Sequence, residues 1–91
     1  MTSEVGAAEV GAAEIQRLRW QCRRGMLELD LLLNRFLDQG YAQLSEEARA
    51  DFVRMLGEQD QSLFDWLMNQ VEPPESAYAS LVKRIRDAAL P

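Results

Sequence analysis

Apolar residues recur along this chain at helical spacing, and no segment shows the strict alternation of a half-buried strand. A first helix is predicted over about 13–23, with Ile15, Leu18 and Cys22 on one face. A second is predicted over about 26–39, where Leu29, Leu32, Leu33 and Phe36 make a buried stripe at i, i+3, i+4, i+7. Leu27, Leu31 and Leu37 widen that stripe, which predicts a central helix contacted on more than one side. Gly40 follows as a C-cap glycine. Ser45 is the expected N-cap of a third helix, and Glu46 and Glu47 complement the positive end of that helix. Ala48, Phe52, Met55 and Leu56 give it a core face, and Gly57 stops it. Asp60 is expected to cap a short fourth helix with Leu63, Phe64, Leu67 and Met68 inward. Pro73 and Pro74 interrupt the helical pattern. A fifth helix is predicted over about 75–89, with Tyr78, Leu81, Val82 and Ile85 inward. The expected fold class is all-α, a small bundle of four to five short helices.

The start of the chain stands outside this pattern. Glu4-Val5-Gly6-Ala7-Ala8 is followed at once by Glu9-Val10-Gly11-Ala12-Ala13, and two copies of so short a unit do not make a repeat fold. Nothing large is available there to bury, so residues 1–12 are expected to be a flexible N-terminal extension and 13–91 a single helical-bundle domain. Ninety-one residues suffice for one modest core, with little room for an enclosed catalytic cavity.

Charge narrows the choice of partner. A net charge of −5 disfavours nucleic acid and anionic membrane surfaces, which attract clustered positive charge. Arg17, Arg19, Arg23 and Arg24 nevertheless form a local basic run. No apolar stretch approaches the roughly 20 residues that span a bilayer. The acidic N-terminus lacks the basic flank of a secretory signal, so a cytoplasmic protein is expected.

Catalytic chemistry finds little support. The chain has no histidine and a single cysteine, which removes the commonest general base, most zinc ligand sets and any internal disulfide. No glycine-rich phosphate loop and no carboxylate set at metal spacing occurs. Glu46, Glu47 and Asp51 sit at a helix start, where acidic residues are expected on a solvated face. Cys22 lies on an apolar face and is read as a small buried hydrophobe. The chain is therefore expected to be no enzyme, with no catalytic residue, no metal ligand and no firmly held cofactor.

Gly25 is the exception that calls for explanation. Glycine costs about 1 kcal/mol against alanine inside a helix, so either the chain turns there or something approaches its backbone closely. Arg24 and Glu28 are four apart, the spacing of a weak surface ion pair on a continuous helix, although basic before acidic is the poorer orientation. An exposed arginine, a bare backbone and a reachable carboxylate together would make a recognition surface. Further on, Leu63-Phe64-Asp65-Trp66-Leu67-Met68 combines a core stripe with Trp66 on its opposite side, either a partly exposed interface aromatic or a cover for a neighbouring helix.

The string Trp20-x-Cys22-Arg23-Arg24-Gly25-Met26-x-Glu28-Leu29-Asp30 resembles the signature of the SdhE family, also called succinate dehydrogenase assembly factor 2, whose hallmark is Arg-Gly-x-x-Glu. Leu63-Phe64-x-Trp66-Leu67-Met68-Asn69 resembles a second recurrent segment of that family, and the likeness extends from about Ile15 to Asp87. It implies a five-helix bundle that promotes covalent attachment of FAD to a histidine of the succinate dehydrogenase flavoprotein subunit, and in some bacteria of fumarate reductase. The flavin then belongs to the client, and the factor holds the client in a competent conformation. Carried over by position, Arg24, Gly25 and Glu28 are the client-contact motif, with Arg23, Asp30 and Trp66 as neighbouring partner-binding candidates. The duplicated N-terminus departs from the family pattern. The alternative is a small helical adaptor or antitoxin-like regulator binding an acidic protein partner, and a nucleic-acid binder using the four arginines is disfavoured by the overall acidity.

Overall fold

The computed structural model describes residues 11–89, so most of the expected N-terminal extension lies outside the described residues. Five α-helices follow one another: α1 (Ala12–Gln21), α2 (Leu27–Gln39), α3 (Glu46–Met55), α4 (Asp60–Met68) and α5 (Ser76–Ala89), with a short 3-10 turn at Tyr41–Gln43. No strand occurs among the described residues, and the all-α expectation holds. Helix α2 packs against α1, α4 and α5, and α3 packs against α5.

The core is continuous. Leu29, Leu33, Phe36 and Leu37 of α2 meet Phe52 and Met55 of α3, Leu63 and Leu67 of α4, and Leu81, Val82 and Ile85 of α5. The ring of Phe52 lies 5.5 Å from Phe36 and 5.4 Å from Tyr41, both pairs tilted as aromatic quadrupoles prefer. Leu27 and Leu31 depart from the expected stripe: they are exposed, and α2 reaches its several neighbours through Leu29, Leu33, Phe36 and Leu37 instead.

Helix ends follow local chemistry, with two surprises. Ser45 caps α3 as expected, its Oγ accepting the Ala48 N–H at 3.1 Å. Gly40 ends α2 with φ −131°, outside the left-handed region. It is required for space: a Cβ there would lie 2.5 Å from the Phe36 ring. Asp60 is not the cap of α4 but its first residue, following Gln59. At the other end of α4, the Arg86 guanidinium of α5 donates to the carbonyls of Trp66 and Leu67, which the helix itself leaves unsatisfied.

Trp66 corrects the sequence reading most clearly. It is only 7% exposed and lies against Tyr78 of α5 with ring centroids 5.8 Å apart. The stripe of α4 is Leu63, Trp66 and Leu67, spaced i, i+3, i+4, while Phe64 is only partly buried. Of the two readings open for Trp66, the exposed anchor gives way and the cover of a neighbouring helix, here α5, holds.

Candidate functional site

The chain turns between α1 and α2. Cys22 is fully buried beneath the turn, and burial pushes its thiol up to about 12, so it is a packing residue with no thiolate to offer. The Arg23 N–H closes the last turn of α1 on the Trp20 carbonyl at 3.1 Å. Gly25 then adopts φ +83°, a left-handed conformation that costs an L-residue roughly 1–2 kcal/mol. Nothing lies within 4 Å of where its Cβ would be, so the backbone angle demands glycine here and crowding within the chain does not.

Asp30 shapes this turn from the first turns of α2. Its carboxylate accepts the Arg24 N–H at 2.8 Å and the Gly25 N–H at 3.3 Å, two backbone donors that the turn leaves free. No side-chain cap comes from Met26, the residue before the helix. Asp30 also places negative charge near the positive end of α2.

Arg24 does not pair with Glu28. Its guanidinium turns inward, donating through Nε to Asp60 Oδ1 at 2.7 Å, through Nη1 to the Gln21 carbonyl at 2.7 Å and through Nη2 to the Glu58 carbonyl at 2.9 Å. The exposed-arginine reading is corrected accordingly: the side chain is 14% exposed and spans the end of α1, the α3–α4 loop and the start of α4. The helix break at 22–26 is the reason, since it removes the continuous face on which positions 24 and 28 would have met.

The surface around the turn has a different character. Glu28 is exposed, and among the described residues no hydrogen bond or ion pair engages its carboxylate. Trp20 is 70% exposed, with the Arg23 guanidinium 4.8 Å above its ring. These two residues join Gln16, Arg19, Asp30 and Asn34 around an open groove of about 550 Å³. A second hollow of about 230 Å³ borders Glu28, Leu31, Leu32 and Arg35 on the other flank of α2. The expected basic run is divided: Arg19 bonds Asn34 at 3.0 Å and pairs with Asp38, Arg24 is turned inward, and Arg17 and Arg23 stay on the surface.

Arg23, Arg24, Gly25, Glu28 and Asp30 are thus brought together, and Trp66 is apart from them in the core. Sequence reasoning missed Trp20, Leu27 and Leu31 as surface residues of this region. Trp20 was detectable, because it falls opposite the Leu18 and Cys22 face of its own helix. Asp60 was legible only as a helix-start residue, and nothing in the linear sequence tied it to this turn. Among the described residues no cluster of His, Cys, Asp or Glu is placed to hold a metal ion, and no helix is long and apolar enough to cross a membrane.

Comparison with known proteins adds a second line of argument. The family described as flavinator of succinate dehydrogenase matches residues 16–89. The chain is 44% identical over 77 residues to the FAD assembly factor SdhE of Shewanella oneidensis, covering 85% of this chain and 94% of the relative. It is 46% identical over 76 residues to the FAD assembly factor SdhE of Haemophilus ducreyi, covering 81% and 93%. With the FAD assembly factor SdhE of Coxiella burnetii it shares 38% identity over 71 residues, covering 78% and 87%. No solved structure matches the chain significantly. A family match over most of the chain, together with relatives at these identities, means that the protein belongs to the SdhE family of succinate dehydrogenase flavinators.

Proposed function

We propose that this protein is an assembly factor that promotes covalent attachment of FAD to the flavoprotein subunit of succinate dehydrogenase, docking on that client through the Gly25 turn and the outer face of α2. Fumarate reductase is the second client in this reading. Family membership supports the class of activity, and one observation supports the docking site. Of the five large hydrophobic residues exposed among the described residues (Trp20, Leu27, Leu31, Val53 and Val71), three flank Gly25 and Glu28. Exposed apolar side chains gathered beside an unpaired charge are the ordinary makings of a protein interface.

The division of labour follows from the chemistry of the residues. Gly25 presents bare backbone over open space, Glu28 offers a free carboxylate, and Trp20 with Arg23 offers a flat cationic and aromatic surface. Each can hold another protein, and none is placed as a nucleophile or tuned base. In this reading, which rests on family membership, the covalent bond falls to the client's histidine and its own flavin, and this chain acts in the cytoplasm as a conformational partner rather than an enzyme.

The test is flavin fluorescence of the succinate dehydrogenase flavoprotein in a denaturing gel, from cells lacking this gene and complemented with Gly25→Arg. Open space at Gly25 lets the variant fold with only the backbone penalty, so fluorescence is expected to be lost while the variant accumulates normally. Full fluorescence with the variant would defeat the docking assignment.

A further inference from the structure

Asp60 lies 36 residues beyond Arg24 and belongs to neither of the two distinctive segments, yet it is bonded to the first of them. One guanidinium ties three separate parts of the chain: the Gln21 carbonyl ending α1, the Glu58 carbonyl before α4, and the Asp60 carboxylate on the first turn of α4. Each of its three nitrogens gives one hydrogen to the fold, so a partner carboxylate could take the Nε–Nη2 edge only by releasing this junction. The turn bearing Gly25 is therefore fixed twice, by Asp30 through the backbone N–H groups of Arg24 and Gly25 and by Asp60 through the Arg24 side chain. Lysine could not replace Arg24 here, because a single ammonium cannot reach three acceptors in a plane.

The apolar core lies apart from this junction. Helix α4 is seated by Leu63, Trp66 and Leu67, all in the core, while the Asp60 side chain is 46% exposed. A residue that adds little to packing but clamps the docking turn has a different task.

Resting on the docking reading above, we propose that Asp60 is a positioning residue for client binding. It holds the Gly25 turn in its bound shape through Arg24 and never touches the client. The free protein then presents a preorganised turn, and ordering it is not left to the encounter. Helix α4 becomes part of the docking machinery through its first residue.

Two measurements on purified protein test this. In the free protein, the 15N order parameter of Gly25 is expected to fall from the rigid range near ~0.85 toward the flexible range below about 0.6 on Asp60→Asn. Affinity for the purified client flavoprotein subunit is expected to drop about tenfold, in line with weakening an ion-paired hydrogen bond to one on a neutral amide oxygen. Asp60→Glu, which keeps the carboxylate, recovers most of that affinity. The double variant Arg24→Gln with Asp60→Asn binds no worse than the weaker single variant, because both changes release one clamp. Wild-type affinity in a folded Asp60→Asn protein, an unchanged order parameter, or additive losses in the double variant would each overturn the assignment. Gly25→Arg measured in parallel separates the two ideas: if it too binds like wild type, the docking reading fails, and if it alone loses binding, only the role of Asp60 fails.

Discussion

The turn at 22–26 and helix α4 are built on opposite plans. The turn has Cys22 buried beneath it and Met26 packed partly against the core, and its backbone shape is set by polar bonds from Asp30 and Arg24. Helix α4 is held by Leu63, Trp66 and Leu67 in the core, with Arg86 closing its last carbonyls. Polar bonds set a backbone shape and leave the surface open, whereas apolar burial fixes a helix and consumes its surface. The contrast is sharpest between the two tryptophans, Trp66 at 7% exposure and Trp20 at 70%. One residue type supports the fold at one site and is available to a partner at the other.

The largest effect expected from this contrast is on stability. Trp66→Ala should cost about 3–5 kcal/mol, as removal of a buried aromatic does, and in so small a domain that approaches the whole folding free energy. Urea unfolding followed by circular dichroism measures it. A loss below that range would mean that α4 has less need of its core contacts than the packing indicates.

A middle-sized effect comes from the apolar underside of the turn. The buried Cys22 thiol resists ionisation up to about 12, against 9.0 for the free group. Between those values the unfolded chain releases a proton that the folded chain keeps, so stability is full below pH 9 and falls as pH rises toward 12. Tyr41 acts in the same direction, since burial and its hydrogen bond to Glu14 hold the phenol neutral. Urea midpoints on either side of pH 9 should show the decline, and Cys22→Ala should make it shallower. A slope unchanged by that substitution would place the titrating group elsewhere.

The smallest effects on stability belong to the surface residues. Trp20→Ala and Glu28→Gln should each shift it by no more than about 0.5 kcal/mol, as surface side chains away from the core do. Both should nevertheless weaken capture of the client flavoprotein in a binding titration. If either lowered stability as far as Trp66→Ala, the separation between presenting and supporting regions would collapse.

How far all this could be read from the chain depended on the range of the interaction. The stripe of Leu29, Leu33 and Phe36, the Ser45 cap and the break at the prolines rest on neighbours a few positions apart, and each was legible. Trp66 was placed on the wrong side because α4 has only nine residues, too few to decide between a stripe through Phe64 and one through Trp66. Leu27 and Leu31 misled for another reason: an apolar type favours burial but does not compel it when no neighbouring helix covers that face. Gly25 was recognised as a turn or a close approach, and its φ of +83° decides for the turn. The inward course of Arg24 was out of reach, since Asp60 and the Glu58 carbonyl are brought to it only by the tertiary fold.

The short connection from α3 to α4 gains an unusual property from that arrangement. Loops between helices are where chain length drifts most freely. Here the Glu58 carbonyl and the Asp60 carboxylate receive two arms of a single guanidinium. Inserting or deleting one residue between them would pull one acceptor out of register even if every helix kept its place. The connection is therefore intolerant of indels, and its length is tied to the shape of the Gly25 turn as closely as Arg24 itself.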